Sequence, residues 1–580
     1  MQAAIIAACV AAAYGHTLSV PFYLDDFPSI PGNPAIFNWR DLKKIWSFAP
    51  LRSVGYLTFA LNYGVHQFQV EGYHLVNILV HFLTGLAVLA LGKGIVRTPA
   101  ISGAIAPETA KWLPFFSAML FVLHPLQTQA VTYTVQRLAA MAALFYIAAM
   151  ACYIHGRLAG KSTGRYLFFG AATLLFLLAL FTKQNAATLP LALLAIEMIL
   201  FRTNRRKLAF VTGGIVAAAG LAWIVLGSVL HYNPFSLAAM QALTRETETI
   251  SRSAYMLTQA RVLWTYIRLF FWPTGLHLDY DIPLSPGFFD ADTLFAVAGH
   301  VGLLIMAILL LRRFPLATFT IFFYYLAHLV ESSVIPIRDV CFEHRTYLPN
   351  LGLCLGAGWF TAAGATKFTR RRLAVPLLLA LILVLGGLTW QRNQMWRDPI
   401  TFWKDCTRHA PDKLRPWNEL TAMLLRFGKN EEAAAFIGRA MAFTDPRNPG
   451  RVKLSESTSI NLLTLLRRQG KYHEALKLSN AILKQKTNLI NRSKVLENMG
   501  NIFFITKQYK KAETHYRQAV ETAPWNLSAT TNLASTLAAQ GRVSAATAIY
   551  NQVLATDPNH KDAALNLAKL RAQKSAKADK

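Results

Sequence analysis

The sequence predicts an all-α protein in two parts. Residues 1–395 read as a polytopic helical membrane domain of about eleven spans. Residues 396–580 read as an extracytoplasmic α-solenoid of helix pairs. Three observations carry this. Long apolar runs recur to about residue 391 and then stop. Basic clusters sit in the short connections between those runs, where topology signals belong. Beyond them a 34-residue period takes over. With 54% hydrophobic residues the chain is too apolar for a single water-soluble body.

In chain order, the first apolar segment covers about residues 2–20. It resembles a signal peptide but has no basic start and no clear cleavage site, so it is expected to remain as a first span. It runs straight into Tyr23-Leu24-Asp25-Asp26-Phe27-Pro28. Two adjacent carboxylates at a bilayer boundary are costly to desolvate and mark either a site or a helix cap. Residues 21–72 form a polar-aromatic connection with Arg52, Asn62 and His66, amphipathic around 41–48. Further spans are expected at 74–96, at 112–123 ending in His124-Pro125, and at 138–154. A fifth ends at Lys183-Gln184-Asn185, a sixth at Arg202, Arg205, Arg206 and Lys207, and a seventh covers 208–230. A loop over 232–259 carries Arg245, Glu246, Glu248 and Arg252. The stretch 260–273 is short and interrupted by Arg261 and Arg268, so it is expected to be re-entrant or surface-lying. The last spans fall near 294–311, 316–330, 348–366 and 373–388, with the polar loop 331–347 between two of them.

A net charge of +29 would suggest nucleic acid in a soluble protein. Here much of it lies in short loops and reads as topology signalling and contact with anionic lipid, with no nucleic-acid partner. With the N-terminus in the cytoplasm, the basic loops at 97–111, 157–165 (with Lys161), 202–207, 312–313 and 367–372 (with Arg370–Arg372) all fall inside. The outer face then collects Asp25, Asp26, Arg52, His124, Gln129, Arg137, Lys183, Gln184, Asp279, Glu343, His344 and Arg345. The five cysteines show no metal-ligand spacing; Cys341 and Cys406 share a side, which permits a disulfide.

The repeats keep step. Leu533-Ala534 and Leu567-Ala568 stand 34 apart, with Met499-Gly500 before them. Ala512 and Pro524 are followed by Ala546 and Pro558, and Tyr516 by Tyr550. Trp417, Leu420, Gly428, Ala434 and Pro446 make an earlier repeat, Leu462, Gly470 and Ala475 a looser one, and 561–572 a capping helix. This is the tetratricopeptide period, and such arrays offer a concave groove to a protein partner.

No Walker loop, GxGxxG, HExxH or GxSxG motif stands in a credible context. A carboxylate near Arg, Lys and His at a membrane surface suits transfer from a lipid-linked phosphate donor. Asp25 or Asp26 would take a proton from an acceptor hydroxyl. Arg and Lys would hold the phosphate. The sugar would pass through an oxocarbenium-like state with inversion. The Asp pair could instead hold a divalent cation. Arg137 and Lys183 could equally be interfacial snorkelers, His124 a cap, and Gln129 interhelical glue.

These stretches resemble the transmembrane and tetratricopeptide-repeat O-mannosyltransferases of the GT-C glycosyltransferase superfamily, and bacterial relatives of that family in particular. The similarity runs through Tyr23–Asp26, Arg52 with Leu57–Tyr63, Gly72–Asn77, His124–Val131 with Arg137, Thr182–Gln184, Tyr266–Leu269 with Arg268, Leu278–Asp281 and Glu343–Pro349. The resemblance implies an eleven-span GT-C fold in the bacterial inner membrane with periplasmic repeats. It implies a polyprenyl- or dolichyl-phosphate sugar donor and Ser/Thr of an exported protein, such as pilin, as acceptor. The superfamily's catalytic acid maps onto Asp25 and Asp26, with Asp25 favoured as base and a metal left open. Arg52, His124, Gln129, Arg137, Lys183, Gln184, Arg268, Asp279, Glu343, His344 and Arg345 map onto donor and substrate binding. Eukaryotic members tend to have Glu where Gln129 stands and Lys-Glu-Gln where Lys183-Gln184-Asn185 stands, and an acidic residue at Leu138. The chain's own pocket is therefore more positive. The alternative is a non-catalytic scaffold that anchors the repeats for an envelope or pilus assembly.

Overall fold

A computed structural model describes residues 1–160, 162–229, 247, 249–367, 374–442 and 454–578. Lys161, Arg245, Glu246, Glu248, the Arg370–Arg372 cluster and Pro446 lie outside the described residues. No strand occurs among the described residues. The chain forms two units. The first takes Met1–Val20, Leu42–Thr58 and Tyr73–Arg397; the second takes Pro21–Asp41, Phe59–Gly72 and Asp398–Lys580. Two early segments thus join the repeats, which chain order alone does not reveal.

The main helices of the first unit are α1 (Gln2–Tyr14), α2 (Val70–Ile95), α3 (Pro107–Leu123), α4 (Arg137–Leu158), α5 (Ser162–Leu180), α6 (Arg252–Phe271), α7 (Ala291–Leu310), α8 (Pro315–His328), α9 (Asn350–Lys367) and α10 (Ala374–Met395). Among the described residues five helical stretches are long and apolar enough to cross a membrane: Gln2–Ser19, Val70–Ile95, Thr134–Leu158, Thr163–Leu180 and Ala291–Leu310. That is fewer than the eleven expected. Several of the others are short or broken. Helix α3 has 17 residues and α8 has 14. The apolar run Gln184–Leu200 divides into a 3₁₀ turn, a short helix and a π turn. Such π turns often accommodate a special side chain. Here it is the buried Glu197, whose carboxylate takes Arg157 Nε at 2.5 Å, Arg157 Nη2 at 3.0 Å, Tyr153 Oη at 2.8 Å and the Thr203 hydroxyl.

Small residues let the helices of this unit approach closely. A Cβ on Gly358 of α9 would stand 2.3 Å from Ser117 Oγ and 2.9 Å from its backbone nitrogen on α3. The hydroxyl could turn away but the backbone could not. Gly358→Ala should therefore cost about 1–3 kcal/mol, read as a lower unfolding midpoint in detergent; an unchanged midpoint would show that the crossing is looser.

The second unit carries α11 (Pro399–His409), α12 (Leu414–Arg426), α13 (Asn430–Met441), α14 (Glu456–Arg468), α15 (Tyr472–Leu483), α16 (Leu489–Ile505), α17 (Tyr509–Thr522), α18 (Leu527–Ala539), α19 (Val543–Thr556) and α20 (Lys561–Ala578). The register matches the 34-residue spacing. Ala512 and Ala546 are fully buried, and Tyr516 and Tyr550 fill the same place in consecutive repeats. The turn inside each pair needs a left-handed residue. Gly428, Gly470 and Gly541 supply it, with φ of 78°, 78° and 82°. At the fourth such turn Lys507 takes φ of 59°, a strained choice for a side chain with a Cβ. The five cysteines are present as thiols, without the disulfide that the sequence permits between Cys341 and Cys406.

Candidate active site

In the first unit the site is built around the loop 331–347, and α6 holds that loop in place. Tyr255, Gln259 and Tyr266 line one face of α6. Tyr255 Oη donates to the Glu331 carbonyl at 2.6 Å, and Gln259 Nε2 to the Val340 carbonyl at 2.9 Å. Tyr266 Oη donates to the Phe342 carbonyl and accepts its N–H, both at 3.0 Å. The stretch expected to be re-entrant or surface-lying is thus part of a 20-residue helix, Arg252–Phe271, whose polar face clamps the loop. Arg268 lies about 200° round that helix from Tyr266 and is exposed, so the loop does not gather it.

The loop continues into a buried 3₁₀ turn, Glu343–Thr346. Gln129 Oε1 accepts the His344 backbone N–H at 2.6 Å and faces His344 Nδ1 at 3.1 Å. Gln129 therefore fixes the proton on Nδ1 and leaves Nε2 as the basic nitrogen. Burial, with Lys183 and Arg345 nearby, holds the His344 pKa well below the usual imidazole range, so the ring is neutral at pH 7. Two outcomes follow. The unfolded chain takes up this proton near pH 6.5 and the folded chain does not, so the unfolding midpoint should fall as pH drops from 7 to 5. Gln129→Glu would favour the imidazolium, raise the His344 pKa and shift the inflection of a rate–pH profile upward; a profile that stays put would exclude His344 from the titration.

Lys183 is the residue before the 3₁₀ turn Gln184–Thr188, and Gln184 is half-buried within that turn. Lys183 Nζ meets Glu331 Oε1 at 2.6 Å, with both side chains nearly buried. Burial lowers the Lys183 pKa, Glu331 raises it again, and Arg52 and Arg345 push it down. Burial would lift Glu331, but Lys183 and Arg345 outweigh that and hold it low. Lys183 and Arg345 thus act on the Glu331 carboxylate, and Arg52 and Arg345 act on Lys183, which puts the four charges in one electrostatic neighbourhood. With His344 neutral, three cations and one anion leave two positive charges. Sequence reasoning did not single out Glu331; the available signal was a carboxylate opening the polar loop on the face that collects Lys183.

The far side of the 3₁₀ turn is acidic. Glu343 is fully buried, accepts Tyr280 Oη at 2.7 Å and lies 3.9 Å from Arg392, another residue the sequence did not single out. Asp279, next to Tyr280, is also fully buried. Arg137 is placed differently. Its guanidinium is fully buried and donates to Asn77 Oδ1 at 2.7 Å, the Tyr73 carbonyl at 2.9 Å and Thr58 Oγ1 at 3.3 Å, so it ties α4 to α2. His124 accepts the Leu126 N–H at Nδ1, donates from Nε2 to the Phe270 carbonyl at 2.8 Å and stacks on Phe270. It acts as a cap and a strut.

Asp25 and Asp26 belong to the second unit. The chain reaches them through Leu24 at φ of 32°, a left-handed turn. Asp26 is fully buried, and its Oδ2 accepts the Tyr23 N–H at 2.9 Å. Asp25 is exposed. Tyr23 is buried against Phe402 and Trp403 of α11, with ring centroids 4.7 and 6.4 Å away. Burial, then Asp398, Cys406 and Asp26, push its phenol up. The two neighbours are thus different groups: Asp26 locks the turn and Asp25 faces outward. Among the described residues no three His, Cys, Asp or Glu side chains converge, so the Asp pair alone makes no protein cage for a cation.

A family profile described as tetratricopeptide repeat matches residues 504–573. The chain is 23% identical over 449 residues to protein O-mannosyl-transferase F38B6.6 of Caenorhabditis elegans, covering 72% of this chain and 59% of that one. It is 23% identical to protein O-mannosyl-transferase Tmtc3 of Drosophila melanogaster, covering 87% and 60%, and 23% identical to protein O-mannosyl-transferase TMTC3 of Homo sapiens, covering 97% and 65%. The chain spans about three-fifths of the length of these relatives. A solved structure of the APC/C hetero-tetramer Cut9–Hcn1 aligns at 13% identity, covering 82% of this chain and 98% of that one, with a TM-score of 0.26, too low to imply a shared topology. The chain is thus an all-helical protein with apolar helices of membrane-spanning length and C-terminal tetratricopeptide repeats, similar over most of its length to proteins named protein O-mannosyl-transferases.

Proposed function

We propose that the chain is an integral membrane O-glycosyltransferase of the GT-C kind. It moves a sugar from a polyprenyl-phosphate carrier to Ser/Thr hydroxyls of an exported protein on the outer face of the bacterial inner membrane. The observation that carries this is the Lys183–Glu331 ion pair with Arg345 acting on both partners and Arg52 on Lys183. A lipid-phosphate sugar is a phosphodiester with one negative charge; the carrier released is a monoester with about two. A site with two net positive charges favours the leaving state over the bound one, which is the condition for catalysis.

In this reading the anomeric C–O bond to phosphate breaks as the acceptor oxygen attacks from the opposite side, inverting the centre. The hydroxyl proton goes to Asp25, the exposed member of the pair. His344, neutral with Nε2 basic, accepts a hydrogen bond from a substrate hydroxyl. The relatives' names support a protein acceptor and mannose, while Gln129 and Gln184-Asn185 make this pocket more positive than theirs. The repeats dock the acceptor.

The scaffold reading has one observation in its favour: Lys183 is already paired with Glu331, and Asp26 already accepts the Tyr23 N–H of its own turn. Intact mass spectrometry of secreted and pilus proteins separates the two. Cells with the chain should show a glycan-sized mass shift that cells lacking it, or carrying Asp25→Ala with Asp26→Ala, do not. Unchanged masses in both proteins and glycolipids would leave the scaffold.

A further inference from the structure

Helix α8 ends at His328, one turn before Glu331 and Ser332. The Ser332 N–H donates to the His328 carbonyl at 2.8 Å, so the turn continues and the three side chains share one side of it. His328 is only 2% exposed. Its ring stacks on Tyr266 of α6 at 5.4 Å and meets Tyr324 of its own helix edge-on at 4.8 Å. Neither phenol serves the imidazole. Tyr266 Oη is engaged by the Phe342 backbone, and Tyr324 Oη donates to the Leu263 carbonyl at 2.9 Å. Among the described residues, both ring nitrogens of His328 and the Ser332 hydroxyl are buried without a hydrogen bond.

Ring packing alone would suit phenylalanine as well and leave nothing unsatisfied. A buried polar group without a partner costs about 1–3 kcal/mol, so the imidazole and the hydroxyl call for a partner. The charges around them say which kind fits. Glu331, Arg345 and His300 act on His328, and Lys183, Arg345 and His328 together act on Glu331. A metal cation is opposed by Lys183 and Arg345. An apolar group would leave imidazole and hydroxyl unpaired. A phosphate monoester matches them. It offers several acceptor oxygens to the ammonium, the guanidinium, the hydroxyl and an imidazole N–H. Near its second pKa of about 6 it also carries a P–OH, which an unprotonated imidazole nitrogen accepts. A diester has no such proton.

We propose that His328 and Ser332 form, with Lys183 and Arg345, a binding site for a phosphate monoester, the form in which the lipid carrier leaves. This deepens the reading above by giving the product phosphate two uncharged partners besides the cations, and it rests on the lipid-phosphate part of that reading. The test reads binding and not transfer, so its failure and that of the transferase reading are distinguishable.

The full chain in detergent is titrated into farnesyl phosphate at pH 7 and the phosphorus NMR resonance is followed, with farnesol and inorganic phosphate as competitors. Farnesyl phosphate should bind, its methyl diester more weakly, and farnesol should not displace it at matched concentration. Inorganic phosphate that competes as well as the lipid makes free phosphate the ligand of the same site; a need for large excess makes it the lipid headgroup. His328→Phe keeps the stack on Tyr266 and should bind farnesyl phosphate about tenfold or more weakly. Its unfolding midpoint without ligand should be unchanged or higher, because two unpaired nitrogens are gone. His328→Gln keeps an N–H donor and should recover most of the affinity, and Ser332→Ala should lose about three- to tenfold. No binding of farnesyl phosphate, displacement by farnesol, or equal affinity in the native chain and His328→Phe would overturn the proposal. So would equal losses in His328→Phe and His328→Gln at a lowered midpoint, which would mean that the ring only packs.

Discussion

Asp25→Asn should lower sugar transfer by about 10²–10⁴-fold, the usual contribution of a positioned base, and leave the unfolding midpoint unchanged. Asp26→Asn should do much less, because the amide oxygen can still accept the Tyr23 N–H. Asp26→Ala should instead destabilise the turn, since a buried N–H left without a partner costs about 1–3 kcal/mol. The check is transfer of labelled sugar from a polyprenyl-phosphate donor to a peptide, alongside thermal unfolding of each variant. The split between exposed Asp25 and buried Asp26 is what the comparison probes. Should Asp26→Asn fall as far as Asp25→Asn, the proton acceptor is Asp26.

Lys183→Met should be the most destabilising single change in the first unit, by about 3–5 kcal/mol. Removing one partner of a nearly buried ion pair leaves the other charge without compensation, and here Glu331 would keep only more distant cations. The double variant Lys183→Met with Glu331→Gln should recover most of that stability and none of the transfer. The measurements are the unfolding midpoint and the transfer rate on the same preparations. Recovery of transfer by the double variant would reduce Lys183 to a structural partner of Glu331.

The sequence was legible where one local rule decides. The Ala512/Ala546 and Tyr516/Tyr550 spacing dictates a helix-pair array, and the array forms with those residues buried in register. Arg52, Lys183, His344 and Arg345 lie far apart in the chain, yet excess polarity on one expected face pointed to all four. What the sequence could not supply is pairing. Nothing local tells that Arg137 spends its guanidinium on Asn77, Tyr73 and Thr58, or that His124 is held between Leu126 and Phe270. Two adjacent aspartates look alike in a sequence, and only the left-handed turn at Leu24 puts one inside and one outside. That five of the expected eleven spans meet the length and composition of a crossing among the described residues has a related reason. Hydropathy reads an apolar run as continuous, whereas the run Gln184–Leu200 is divided by Pro190 and by the π turn that accommodates Glu197.

The carboxylate of Glu331 also bears on turnover. On the proposed reading an arriving lipid phosphate competes with Glu331 for Lys183, so the ground state is bound weakly. Once the sugar has left, the same carboxylate is the nearest replacement for the spent carrier on that ammonium. The pair then works as a return spring: it limits occupancy by the monoester product and sets how fast the empty carrier departs. A Glu331→Gln enzyme would hold that product longer and stall under its own product at carrier concentrations the native chain tolerates.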